Sequence, residues 1–292
     1  MSKIAVVTGA SRGAGKAIAL ELGRAGWTVV VTGRSTREHP DAEGIGGTVE
    51  ETAEAVTAMG GTGVSFPCDH TEMEDIDRLA VRVAELSPPL ELLVNNAWGG
   101  YERHDLSTFG NPFWEQPTRH WDGMFTAGVR AALLTSSRLV PFMVTHRKGL
   151  IVNTVAWLSG GYLGNLYYDV AKNAMLRMTK GMATELRAHG VYAVAVAPGL
   201  MRTERIMAHH RKHPFDLGPT ESPSYLGKAI VALTGDPDVR RVSGRILYVG
   251  DLARKYGFKD VDGRQPPRFQ AADQPEHPEV RVADVERKAR ST

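Results

Sequence analysis

The sequence predicts one α/β domain in which about seven parallel strands carry helices on both faces. Two observations support that expectation. Short apolar, β-branched runs alternate with helically spaced segments from the first residues onward. That alternation belongs to parallel sheets whose crossovers are helices. The first run, Ile4 to Val7, feeds a glycine-rich turn, TGASRGAG, and then a helical segment. Strand, glycine turn and helix form the phosphate cradle of a doubly wound, Rossmann-like sheet.

Taken in order, Gly9, Gly13 and Gly15 make that turn, spaced TGxxxGxG, before a helix over Lys16 to Arg24. Glycine there allows the tight turn, the approach of backbone to a pyrophosphate, and close packing of helix on strand. Trp27 to Thr32 (WTVVVT) is the second strand, and polar Ser35 to Gly47 an irregular loop. Val49 to Met59 is a helix stopped by Gly60-Gly61, Val64 to Pro67 a third strand, and Met73 to Leu86 a helix with an acidic start. Leu90 to Val94 is a fourth strand ending in Asn95-Asn96-Ala97, and Gly99 to Arg119 is a long aromatic and polar loop, read as a substrate wall or an insert. A helical pattern spans Trp121 to Val144, Leu150 to Val155 is a fifth strand, Tyr168 to Ala188 a helix, and Val191 to Ala197 a sixth strand capped by Pro198-Gly199. Arg202 to Ser222 reads as a polar connection, Ser224 to Thr234 as a helix and Arg245 to Val249 as the seventh strand. The domain is expected to end near 262, with 263–292 a flexible or subunit-contacting tail.

Composition narrows the function. The 292 residues, 42% hydrophobic and 23% charged, suit one large domain. A net charge of +2 with scattered arginines leaves no nucleic-acid footprint. The single cysteine, Cys68, permits no internal disulfide, and no apolar run approaches ~18 residues. A cytoplasmic protein without a membrane span is the expectation. His209, His210 and His213 stand in a polar stretch with no cysteine or carboxylate framework, so no metal site is expected.

Doubly wound sheets bind ligands beyond the carboxyl ends of their strands. There the sequence places a candidate acid/base pair. Tyr168 and Lys172, in YYDVAK, lie four residues apart near a helix start, on one face. An adjacent ammonium and the helix N-terminus are expected to lower the tyrosine pKa. At the other end of the site, the second strand ends in Thr32-Gly33-Arg34 without an acid, and Arg12 sits inside the glycine turn. Two guanidiniums with no competing carboxylate favour a 2′-phosphate, hence NADP(H) over NAD(H).

TGASRGAG, NNA, YxxxK and PGLMRT in this order resemble the classical short-chain dehydrogenase/reductase family over residues 3 to 262. FWEQP, WDGMF and the ending SGRILYVGDLARKYGFKDVDGR are most similar to its member-one-like subgroup. The resemblance implies phosphate contacts from Gly9, Ser11, Arg12, Gly13, Ala14 and Gly15. It places Asp69 at the adenine edge, Asn96 and Ala97 on the adenosine ribose side, and Pro198, Gly199, Met201 and Thr203 along the nicotinamide. Tyr168 is implied as the proton donor to a carbonyl oxygen, and Lys172 as the holder of the nicotinamide ribose. A homodimer or homotetramer built on the two long helices is implied with them.

Three departures stand out. The family's catalytic serine is matched by Val155 and Ala156, so Ser159 is the substitute chosen, ahead of Thr154. Its relay asparagine is matched by Gly128, and NNAG is replaced by NNAW, with Trp98 last. The expected function is reduction of an apolar or aromatic ketone or aldehyde, or oxidation of the matching alcohol, in a pocket walled by Trp98, Tyr101, Phe113, Trp114, Trp157 and Tyr162. The rival is a dinucleotide-binding sensor or scaffold that turns nothing over.

Overall fold

The computed structural model describes residues 3–41, 43–87, 89–102, 108–156 and 161–269. Seven parallel strands, β1 (Ile4–Val7), β2 (Thr28–Gly33), β3 (Thr62–Pro67), β4 (Leu90–Asn95), β5 (Gly149–Thr154), β6 (Val191–Ala197) and β7 (Ile246–Tyr248), lie in the order β3-β2-β1-β4-β5-β6-β7. This is the doubly wound sheet that the sequence predicts. The order reverses between β1 and β4, and the crevice beyond their carboxyl ends is where such folds take a ligand.

All four residues of β1 are fully buried, as a central strand covered on both faces requires. On one face, α1 (Gly13–Arg24), α2 (Val49–Ala58) and α8 (Pro223–Thr234) complete a core that includes Ile18, Leu22, Val56 and Tyr225. On the other, α3 (Met73–Ala84), α5 (Ala131–Thr145) and α6 (Leu166–Leu186) pack Leu79, Leu139 and Met143 onto the sheet. A buried amide ladder ties the carboxyl ends of the central strands. Asn95 donates to Ser136 and to Asn153, and Asn153 donates to Thr179. Among the described residues, no helix is long and apolar enough to cross a membrane.

The structure departs from the expected elements in three places. The helix expected over Trp121 to Val144 is α4 (Thr118–Met124), a π-helical turn over Phe125–Arg130, and α5. The polar connection of 202–222 contains α7 (Glu204–Lys212), capped by Thr203. No residue of α7 is fully buried, so it needs no apolar stripe. A further helix, α9 (Val249–Tyr256), follows β7 and ends at Gly257 in the left-handed region.

Residues 263–269 lie against the body of the chain. Tyr225 donates to the Pro266 carbonyl, Gln265 donates to the Ala253 carbonyl, and the Arg268 guanidinium lies 3.5 Å from the Tyr248 ring centre.

Candidate active site

The glycine turn is built so that nothing but glycine fits. Gly9 has φ +62°, and a Cβ on it would stand 2.7 Å from Ala97 Cα. A Cβ on Gly15 would stand 2.3 Å from the Gly9 carbonyl oxygen. The turn is tied to the end of β4, because Asn96 donates to the Thr8 and Gly9 carbonyls and Thr8 Oγ1 accepts from the Asn96 and Ala97 amides. The Asn96 side chain therefore holds the cradle's shape, while Ala97 lines the cleft directly.

In front of α1 the nearest approach comes from side chains of α7 and its cap, Glu204 Oε2 and Thr203 Cγ2 each standing 3.7 Å from a Cβ built on Gly13. Arg12 caps the helix without a side-chain bond, so the first-turn amides need partners. One of them has an anion: the Gly13 amide donates to Glu204 Oε2 at 3.0 Å. A carboxylate from α7 thus sits where a helix N-terminus receives a phosphate. Donor chemistry, glycine clearance and this stand-in carboxylate all fit a dinucleotide pyrophosphate.

A cleft of about 730 Å³ runs from this cradle to Tyr168 and Lys172. Along it lie Gly9, Ser11, Arg12, Gly13, Ala14, Arg34, Asp69, Asn96, Ala97, Pro198, Gly199, Met201 and Thr203. Gly15 packs behind the turn. Thr203 caps α7 by accepting from the Ile206 amide. Ser159 and Trp157 lie outside the described residues.

Beside the end of β2 the expectation of guanidiniums without competing carboxylates needs correction. Arg12 pairs with Asp41 at 3.0 Å and donates to Ser35 Oγ. Arg34 pairs with Glu102 and stands 3.9 Å from Asp69. β2 indeed ends without an acid, but the 35–47 loop and the chain after β4 supply acids through tertiary folding. Burial raises the Asp41 carboxyl, yet the Ile45 amide and Arg12 together hold it below the ordinary carboxylate range.

At the other end, Asn165 caps α6 and accepts from the Tyr168 amide at 3.0 Å, while its own amide donates to the Phe109 carbonyl. Tyr168 is thereby fixed in the first turn of α6, beneath an aromatic cluster. Trp98 meets its ring edge-on at 5.5 Å, Phe109 at 5.4 Å, and Tyr101 lies tilted at 6.0 Å. Lys172 is buried, with Nζ 3.4 Å from the Trp98 ring centre and 5.4 Å from that of Tyr168.

This packing reverses the expected pKa logic. Burial pushes the Tyr168 hydroxyl well above its ordinary value, and Tyr101 adds to the effect. Burial alone brings Lys172 down to about 7. With both groups drawn out of water, desolvation outweighs the attraction between ammonium and phenolate. Tyr168 is held as a proton donor.

The aromatic wall is also narrower than the sequence reading has it. Trp98 and Tyr101 line the cleft together with Phe109 and Phe269. Phe113, Trp114 and Tyr162 face outward, Trp114 being 72% exposed. Phe109 and Phe269 carry no sequence motif, and only the fold brings them here. Cys68 is buried and its thiol is pushed up to about 12, chiefly by burial, so it is inert.

The model of the short chain dehydrogenase family matches residues 3–213. Dehydrogenase/reductase SDR family member 1 of Mus musculus is 39% identical over 276 residues, covering 90% of this chain and 84% of that one. A short chain dehydrogenase structure from Mycobacterium thermoresistibile superposes with TM-score 0.78 at 21% identity, covering 95% of this chain and 97% of that one. A metagenomic short-chain oxidoreductase solved in complex with NADP superposes with TM-score 0.64 at 26% identity, covering 84% of this chain and 96% of that one.

Proposed function

The chain belongs to the short chain dehydrogenase family, and on that premise we propose that it is an NADPH-dependent carbonyl reductase acting on an apolar or aromatic ketone or aldehyde. The family binds a nicotinamide dinucleotide and acts on small molecules. One observation carries the finer reading: Tyr168, held protonated beside buried Lys172, shares a single cleft with the glycine cradle. The NADP complex of the metagenomic relative, together with Arg12, Ser35 and Arg34 at the adenosine end, supports the phosphorylated cofactor.

When bound, NADPH supplies the hydride. Gly9, Ser11, Gly13, Ala14 and Gly15 would shape the phosphate seat, and Arg12 and Arg34 would exchange Asp41 and Glu102 for the 2′-phosphate. Tyr168 gives its proton to the carbonyl oxygen as the new C–H bond forms at carbon. The former π pair of the carbonyl takes that proton, the Tyr168 O–H bond breaks, and the phenolate regains a proton from water. Lys172 stabilises the phenolate while charged and holds the nicotinamide ribose. Trp98, Tyr101 and Phe109 present apolar surface to the substrate and exclude water. A homodimer or homotetramer through α5 and α6, whose exposed Leu133, Leu166 and Val170 favour burial, belongs to the same proposal.

The test is NADPH consumption against aromatic and aliphatic ketones, aldehydes and quinones. It is run with wild type and Tyr168→Phe, with NADPH and NADH binding measured on both. Turnover by wild type and none by a variant that still binds NADPH is the expected result. Binding without turnover by either protein overturns the reductase reading in favour of a sensor.

A further inference from the structure

We propose that Tyr101 supplies the second hydroxyl of the active site, donating alongside Tyr168 to the carbonyl oxygen of the substrate. The proposal rests on the reductase reading and concerns the same cleft. It begins from a gap among the described residues: at the end of β5, where the resemblance calls for a serine, Val155 and Ala156 line the cleft without a hydroxyl. Thr154, next on the strand, has its hydroxyl turned to β4, donating to the Asn95 carbonyl at 3.2 Å.

Tyr101 fills the gap from another direction. It leaves β4 four residues past Ala97 and lines the cleft, and its hydroxyl donates to the Tyr168 hydroxyl oxygen at 3.1 Å. Trp98 meets the Tyr101 ring at 6.2 Å and an interplanar angle of 61°, so the ring is held on one side by the residue that also covers Lys172.

Two hydroxyls 3.1 Å apart are placed so that one oxygen can lie about 2.8 Å from each, a normal length for O–H···O. An incoming carbonyl oxygen takes that position, and the hydrogen bond between the two phenols is replaced by two directed at the substrate. As the hydride arrives and charge grows on that oxygen, Tyr168 transfers its proton while Tyr101 keeps its own and donates throughout. Donors fixed before the charge develops stabilise the transition state more than the ground state. Burial also pushes the Tyr101 hydroxyl up, so it remains a donor at neutral pH.

The experiment compares wild type, Tyr101→Phe and Tyr168→Phe, with and without Ala156→Ser. It records NADPH affinity, kcat for the best carbonyl of the panel, and the infrared carbonyl stretch of acetophenone bound beside NADP+. Tyr101→Phe keeps the ring, so its NADPH affinity is expected to stay at the wild-type value while kcat falls about 10²-fold. The acetophenone band is expected at its lowest frequency in wild type and higher in each phenylalanine variant. Partial recovery of kcat when Ala156→Ser is added to Tyr101→Phe identifies the lost group as a hydroxyl. A wild-type kcat and an unshifted band in Tyr101→Phe overturn the proposal and leave the reductase reading standing. Wild type that consumes no NADPH with any carbonyl overturns both.

Discussion

A Cβ on Gly128 would stand 2.6 Å from the ring of Trp98. Two of the three departures, Trp98 and Gly128, are thus sterically coupled. The large ring at 98 occupies the volume that a side chain at 128 would claim, and the π-helical turn over Phe125–Arg130 carries that glycine. Gly128→Asn is expected to destabilise the fold by about 1–3 kcal/mol, the usual range for overpacking. In a Trp98→Ala background the same substitution is expected to cost markedly less. Thermal unfolding of the four proteins of this double-mutant cycle checks it.

The burial of Lys172 also sets a pH dependence. Lys172 is lowered by burial to about 7 in the fold, against about 10.4 for a free lysine. Between those values the unfolded chain binds more protons at this site, so its contribution to stability grows as pH rises and the penalty is full below pH 7. Lys172→Met is expected to be more stable than wild type at pH 6. That advantage is expected to shrink steadily from pH 7 to pH 10. Melting curves of the cofactor-free proteins across that range measure it.

Glu204 competes for the anion seat. Its carboxylate accepts from the Gly13 amide, and a pyrophosphate arriving there must displace a like charge from the helix start. Glu204→Gln is expected to tighten NADPH binding about 2- to 5-fold at low salt, the range of a helix-terminus charge effect. Fluorescence titration reads it, and the gain is expected to fade as salt screens the site.

Arg12 faces Ser35 and Asp41 beside the end of β2. Arg12→Ala removes a charge-assisted donor, and NADPH affinity is expected to fall by about 10-fold or more with NADH affinity changed far less. Parallel titrations of the two cofactors decide the preference. Equal losses for both would assign Arg12 to the loop alone.

The sheet was legible because β1, β2 and β6 are largely buried runs rich in alanine and β-branched residues, and β4 (LELLVN) is apolar but for Glu91 and its terminal Asn95. The cradle was legible because Gly9 and Gly15 answer to backbone clashes that no side chain tolerates. Helix α7 was not, since its stabilisation comes from the Thr203 cap and the Arg205–Glu43 pair and needs no apolar stripe. Thr203-Glu204 ahead of Ile206 and Met207 was the signal available. The partners of Arg12 and Arg34 and the meeting of Tyr101 with Tyr168 across 67 residues are tertiary facts. Local spacing carries no trace of them. The direction of the Tyr168 pKa was misjudged for a related reason: a YxxxK pair specifies proximity, whereas the Trp98 lid and the depth of burial set the solvation.

Phe269 gives the cleft a wall from the last described residue of the chain, its Cβ 3.4 Å from a Cβ placed on Gly199. Gly9, Thr154, Val155, Pro198 and Thr203 around that opening hang from the ends of sheet strands and helices, where a change of shape disturbs the core. A wall at the end of a segment tied to the body through Pro266, Gln265 and Arg268 carries no strand of the sheet, so that constraint is weaker there. Residues there can lengthen, shorten or change character while β1 to β7 stay as they are, so this edge is where the enzyme's choice of substrate is open to remodelling by natural variation or by design.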